Sequence, residues 1–271
     1  MNRFIKIKIE VATAEELEIL IAELSEMQFY AFDEEDHFLN AYIKEEDFEE
    51  EKFLIIIGEA KNFAKSFIEE ENWNADWESS FQPVVINDFV SVRANFHEPV
   101  TSVKYDLVIT PKMSFGTGHH ATTFLVISQM QDMDFAKKSV LDFGTGTGLL
   151  AILAKKLGAS NVLAIDCDEW SINNSIENFE ANAVRNMTIE RRDSIGFVEP
   201  MDIVLANINF NVLNASKIEI TKALKSGGSL LISGFYENDA RSLENIFQNC
   251  GFVKVKSTVK DNWCSILFKK V

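Results

Sequence analysis

The stretch Val140–Leu153, VLDFGTGTGLLAIL, decides how this chain is read. The residues before its glycines, KSVLDF, form an apolar run of strand length, and LLAILAKKLG after them has helical spacing closed by Gly158. Strand, glycine turn and helix in that order make the first turn of a doubly wound sheet, where glycines let the backbone and a helix N-terminus approach a ligand closely. Gly144, Gly146 and Gly148 spell G-x-G-x-G, with Leu149 next, which is not the G-x-G-x-x-G of dinucleotide folds. No Walker lysine follows, which disfavours a triphosphate cradle.

Downstream the chain alternates. SNVLAID reads as a strand ending at Asp166, 22 residues after Gly144. A carboxylate there can accept both ribose hydroxyls of an adenosine, and it can equally cap the next helix beside Asp168. An adenosine ligand without a pyrophosphate fits this spacing better than NAD. EWSINNSIENFEAN is helical, and MTIERRD is a strand whose last residue, Asp193, can read an adenine edge or serve a turn. MDIVLAN is the next strand and leads into Asn207, Asn209 and Asn211, at the crevice where such sheets bind ligands. An amide there can accept hydrogen bonds from an amine and orient its lone pair, although asparagines after strands also form turns. NVLNASKIEITKALKSGG reads as a helix stopped by glycine, SLLISGF as a strand and NDARSLENIFQNCG as a helix. FVKVKST and NWCSILFKK close the chain as an antiparallel pair. The alternation predicts an α/β fold with a largely parallel sheet and helices on both faces.

Upstream, the tetrapeptide Phe-Gly-Thr-Gly recurs at Phe115–Gly118, after the strands VVINDFVSVRA and YDLVITP and before a helix starting near Ala121. Exposed amides at Gly116 and Gly118, with the hydroxyls of Thr122 and Thr123, suit a carboxylate such as that of an amino-acid ligand. The two copies are therefore expected to be two walls of one pocket rather than a repeat. His119 and His120 are adjacent and cannot both face one ion from a regular element, so no metal is expected. Further back, FIKIKIEV alternates as a strand, and TAEELEILIAELSEM is a helix with Thr13 and Glu16 as a capping box. Two short strands, a helix over DFEEEKFLIIIGEAKNF and a returning strand complete β-α-β-β-α-β, the ferredoxin-like unit, although FLIII also admits a buried strand. ENWNADWESSFQP, polar and ending in proline, reads as a hinge. The expected division is 1–70 for a small acidic α+β domain, 71–83 for the linker and 84–271 for the larger domain.

Charge is unevenly placed. Up to Ser80 there are 22 acidic and 7 basic residues, and these supply −15 of the formal net −16. Such a front half repels phosphate backbones and steers basic surfaces inward, so the expected partner is a basic protein rather than free nucleic acid, unless the acids merely solvate exposed faces. No apolar run reaches the roughly 18–20 residues of a membrane span, and MNRFIKIKIEV lacks a secretory apolar block. A cytoplasmic protein without membrane contact is expected. Cys167, Cys250 and Cys264 are widely spaced and suggest neither a disulfide framework nor a zinc site.

FGTGHHATT, LDFGTGTGLLAI, AIDCDE, LANI, KSGGSLLISGF, the NWNADWESSFQP linker and the late NWC together resemble the ribosomal protein L11 methyltransferases, a family of class I, Rossmann-like enzymes dependent on S-adenosylmethionine. The resemblance covers essentially the whole chain. It implies that Thr123, Gly144, Asp166 and Asn207 contact S-adenosylmethionine or the methyl-transfer site; Phe115, Gly116, Gly146 and Asp193 are further candidate cofactor contacts by their places in the two glycine segments and after the third strand. It also implies that Asn207 positions the acceptor amine, and that the front domain recognises the substrate, ribosomal protein L11. The family commonly has Thr and Pro where this chain has His119 and Ala121, Cys at Thr145, and ANIL for ANINFN, which leaves Asn209 without a role. Two other readings stay open: a methyltransferase of the same fold acting on another amine or on a glutamine, and a non-catalytic adapter for a basic protein.

Overall fold

The computed structural model describes residues 3–35, 37–58, 62–69, 82–110 and 118–271. The chain divides into two compact units, Met1–Ser80 and Phe81–Val271.

The first unit runs β1 (Arg3–Glu10), α1 (Ala14–Glu26), β2 (Ala31–Glu35), β3 (Phe38–Lys44), a 3-10 turn (Glu45–Asp47), α2 (Glu50–Ile57) and β4 (Phe63–Glu69). Its sheet has the order β2-β3-β1-β4 with every neighbour antiparallel, the ferredoxin-like arrangement. Alternation along β1 decides the packing: Ile5, Ile7 and Ile9 are buried with Leu20, Leu24, Phe53 and Ile57 of the helices. FLIII is therefore helical, and α2 ends at Gly58, whose φ of +72° suits a residue without Cβ. Thr13 caps α1 by accepting from the Glu16 N–H at 3.2 Å. The Glu16 carboxylate reaches back to the Ala12 N–H at 2.7 Å, one residue before the cap.

The second unit begins with a three-stranded sheet of β5 (Val84–Ile86), β6 (Val90–Arg93) and β7 (Tyr105–Val108), in which β6 and β7 are parallel. It continues with α3 (Ala121–Met130), β8 (Ser139–Phe143), α4 (Leu149–Lys156), β9 (Asn161–Asp166), α5 (Glu169–Ala181), β10 (Met187–Arg191), β11 (Met201–Asn207), α6 (Phe210–Ala223), β12 (Leu224–Tyr236), α7 (Glu237–Gln248), β13 (Phe252–Lys260) and β14 (Trp263–Lys270). These strands make one sheet in the order β10-β9-β8-β11-β12-β14-β13, parallel up to β12 and antiparallel beyond it. Alternate residues enter two cores: Val140, Val162 and Leu205 pack with α4, while Leu141, Leu163 and Val204 pack with α6 and α7. Strand order reverses between β8 and β11, which opens the ligand crevice at their carboxyl ends.

One boundary differs from the sequence reading. The helix expected to run to the glycines near 227 stops at Ala223, because Leu224 already pairs with Met201 in the sheet. The Lys270 ammonium then donates to the carbonyls of Thr221 and Leu224 at 2.6 and 2.7 Å, satisfying helix-end acceptors that a glycine cap would otherwise serve.

Candidate functional site

The glycine turn between β8 and α4 is shaped by contacts that leave no room for side chains. Gly144 has φ +75°, and a Cβ there would fall well inside contact distance of the Ile208 methyl. At Gly148, φ +80°, it would lie 2.6 Å from the Phe179 ring. The Gly146 N–H donates to Asp166 Oδ2 at 2.9 Å, and the Asp168 N–H donates to Asp166 Oδ1 at 3.0 Å. Asp166 thus faces the turn. The helix cap belongs to Asp168, which accepts from the Trp170 and Ser171 amides, so Asp166 is not the N-cap. Asp193 lies exposed just after β10, one residue beyond the Arg192 N–H that donates to the Asp166 carbonyl.

Asp142, two residues before Gly144, is a carboxylate that the sequence reading passed over. Burial pushes its pKa from the ordinary 3.8 up to about 7, opposed by bonds from the Thr145 hydroxyl (2.6 Å) and the Ala151 N–H (3.2 Å), with Asp166 adding repulsion. Thr145, where the family commonly has Cys, therefore supplies a strong donor to this buried group. Among the described residues Asp142 Oδ1 has no hydrogen-bond partner. The same holds for Asn207 Oδ1, at the end of the adjacent strand, where Leu205 pairs with Asp142. Asn207 lies two residues beyond Leu205, towards the carboxyl edge of the sheet, so the two buried oxygens stand at successive levels of neighbouring strands, and an unpartnered buried oxygen at that edge is what a ligand N–H would satisfy. Asn209 caps α6 by accepting from the Val212 N–H at 3.1 Å, which gives that residue its role.

A folded state that holds Asp142 protonated binds a proton that the unfolded chain has released above about pH 4. Its stability therefore falls as pH rises towards about 7, by at most ~4 kcal/mol over the window at ~1.4 kcal/mol per unit. Thermal melts of cofactor-free protein between pH 5 and 8 should show that decline, and Asp142→Asn should flatten it. An unchanged slope in the variant would assign the dependence to another group.

Thr123 is buried in the first turn of α3, its N–H bonded to the His120 carbonyl. His120 caps this helix, with Nδ1 facing the Thr122 N–H at 3.3 Å and the Thr122 hydroxyl at 2.8 Å. His119 Nε2 lies 2.9 Å from the Gln82 carbonyl. Phe115 and Gly116 lie outside the described residues. Gly118 is buried, with φ +93°.

What ties the segment after β7 to the glycine turn after β8 is a ladder of amides on α5 and its C-cap that sequence reasoning missed. Asn174, Asn178 and Asn182 follow one another at helical spacing and are all buried. Asn178 accepts from the Thr110 N–H at 2.9 Å and donates to the Thr147 carbonyl at 2.8 Å. Asn182 bonds both the N–H and the carbonyl of Val108, and the Ser175 hydroxyl donates to the Gly146 carbonyl. One helix face thus ties the strand leading to the first tetrapeptide to the turn made by the second.

The family model described as ribosomal protein L11 methyltransferase (PrmA) matches residues 6–271. The chain belongs to the ribosomal protein L11 methyltransferase family. Among its relatives, the ribosomal protein L11 methyltransferase of Chlorobaculum tepidum is 38% identical over 264 residues, covering 92% of this chain and 91% of that protein. The one from Bacteroides thetaiotaomicron is 37% identical over 260 residues, covering 93% of each. The crystal structure of ribosomal protein L11 methylase from Lactobacillus delbrueckii subsp. bulgaricus superposes with a TM-score of 0.65 at 23% identity, over 70% of this chain and 100% of that one, and shows the same fold. The family member described here is an S-adenosylmethionine-dependent methyltransferase. Among its described residues, no helix is long and apolar enough to cross a membrane.

Proposed function

We propose that this family member methylates amino groups of ribosomal protein L11, on lysine side chains, the N-terminal α-amine or both, in the cytoplasm and without direct nucleic-acid contact. The observation that carries the reading is Asn207 Oδ1, buried and unpartnered at the carboxyl edge of the sheet. S-adenosylmethionine supplies an electrophilic methyl on a sulfonium centre. Asp166 receives the ribose hydroxyls on lone pairs that its two backbone bonds leave over, with Asp193 beside the adenine edge. Gly144 and Gly146 give the bound nucleoside and methionine portions close backbone approach. Asp142 and Asn207 offer acceptors to the ammonium, and Thr123 serves the carboxylate end.

The acceptor needs a free lone pair. At pH 7 deprotonation costs ~4–5 kcal/mol for a lysine and ~1 kcal/mol for an α-amine. A desolvated pocket next to a sulfonium charge lowers the amine pKa, and an N–H donated to Asn207 aligns the lone pair with the methyl. His120 serves the helix start, where its Nδ1 accepts from the Thr122 N–H at 3.3 Å. The acidic first unit, joined through residues 71–83, draws in the basic substrate. Incubating this protein with S-adenosylmethionine and ribosomal protein L11 should add mass in steps of about 14 Da per methyl group. No mass gain, with cofactor binding intact by calorimetry, would move the reading to another amine or a glutamine. No cofactor binding at all would favour the adapter.

A further inference from the structure

Three aromatic side chains meet where two arms of the site end. Asn207 pairs with Ser233 on β12, and Tyr236 lies three residues further on, about 10 Å at ~3.3 Å per residue. Thr123 lies one helical turn inside α3 from its cap, His120. Trp263, the first residue of β14 and the cross-strand partner of Tyr236, bridges the two. Its ring stacks on Tyr236 with centroids 4.2 Å apart and 29° between planes, and meets the His120 ring edge-on at 4.6 Å. Tyr236 is 53% exposed although it stands at the ligand end of the sheet. Lys260, opposite Trp263 on β13, is turned onto the Phe124 ring at 5.2 Å and towards Asp261 at 3.3 Å.

We propose that Trp263, with Tyr236 and His120, forms an aromatic wall on the acceptor side that holds the amine after it has gained methyl groups, and so sets how many methyls are added. The inference rests on the amine-methylation reading above. In each transfer the amine lone pair forms the new N–C bond, the C–S bond breaks with its electrons left on sulfur, and the product is an ammonium. Mono- and dimethylammonium then release a proton to water before the next transfer, whereas trimethylammonium has none to release. Each round also removes an N–H. Asn207, an acceptor, therefore holds the unmethylated amine best and the later ones progressively less. Charge and methyl groups remain, and aromatic faces attract both.

The test compares wild type with Trp263→Leu, Trp263→Phe and Tyr236→Leu, each checked for folding by thermal melt and for cofactor affinity by calorimetry. Intact-mass spectra of ribosomal protein L11 are taken at matched cofactor consumption. In Trp263→Leu the ratio of tri- to monomethyl product should fall about tenfold with cofactor affinity unchanged, and Trp263→Phe should restore much of it. In a binding arm, the Trp263 indole resonance should shift with Nα-acetyl-trimethyllysine amide and not with the uncharged Nα-acetyl-norleucine amide. An unchanged product ratio in Trp263→Leu and Tyr236→Leu, or an indole that responds equally to both probes, would overturn the wall while leaving the amine reading standing. A wild type that adds no methyl to ribosomal protein L11 would remove both.

Discussion

Asn207→Ala should lower the single-turnover methyl-transfer rate about 10²- to 10³-fold while weakening S-adenosylmethionine binding by no more than about tenfold. The asymmetry follows from what the side chain does in the folded protein. Its Oδ1 is buried without a partner, so truncation removes no hydrogen bond that this oxygen makes to the chain. The neighbouring backbone is secured independently, by sheet pairing with Ser233 and by the Ile208 N–H bonded to the Ser233 carbonyl at 3.0 Å. The melting temperature should therefore stay close to wild type. In the proposed site cofactor affinity is spread over Asp166, the glycine turn, Asp142 and Asn207, so the loss of one contact costs little binding, whereas alignment of the acceptor lone pair is assigned to this amide alone. A variant that transfers methyl within about threefold of the wild-type rate would show that the amine is aligned elsewhere.

The parts of this site that were legible in sequence are those whose signal is local. VLDFGTGTGLLAIL announces strand, turn and helix because period, glycines and apolar content change within a few residues. Asp166 and Asn207 were found by their places at strand ends. The role of Asn209 needed the observed cap at Val212, since LANINFN offers three asparagines of equal standing. The α5 ladder was hidden for a different reason. Asn174, Asn178 and Asn182 at helical spacing look like the solvated side of an amphipathic helix, and only the packing of the segment Val108–Thr110 against them makes that side a buried one. Asp142 escaped because a carboxylate inside an apolar strand is read as part of the strand. Its meaning comes from its burial, the bond from the Thr145 hydroxyl and an Oδ1 that makes no hydrogen bond among the described residues. Trp263, Tyr236 and His120 come from three separate segments, and nothing short of the β12–β14 register brings them together.

Gly234→Ala should be strongly damaging to the larger unit, and Gly227→Ala provides its control. Both glycines have positive φ, +96° and +73°, so an alanine at either costs about 1–2 kcal/mol in backbone strain. At Gly227 nothing lies within 4 Å of the added Cβ, and strain is the whole effect. At Gly234 the Cβ would press on the Ile208 carbonyl oxygen and lie 2.6 Å from its carbon and 2.9 Å from the Ile208 nitrogen. These are backbone atoms of the residue that follows Asn207, and no rotamer change can clear them. Relief requires β12 and the Asn207–Ile208 segment to move apart, adding about 2–3 kcal/mol of overpacking. At ~2–4 °C per kcal/mol for a unit of this size, the melting temperature should fall about 10 °C in Gly234→Ala and about 3 °C in Gly227→Ala. Because the displaced segment carries Asn207, and because the Gly144 turn packs on the Ile208 side chain, Gly234→Ala should also lose S-adenosylmethionine affinity, which Gly227→Ala keeps. Equal melting shifts in the two variants would mean that the close approach of the strands at Ile208 is not what fixes the position of Asn207.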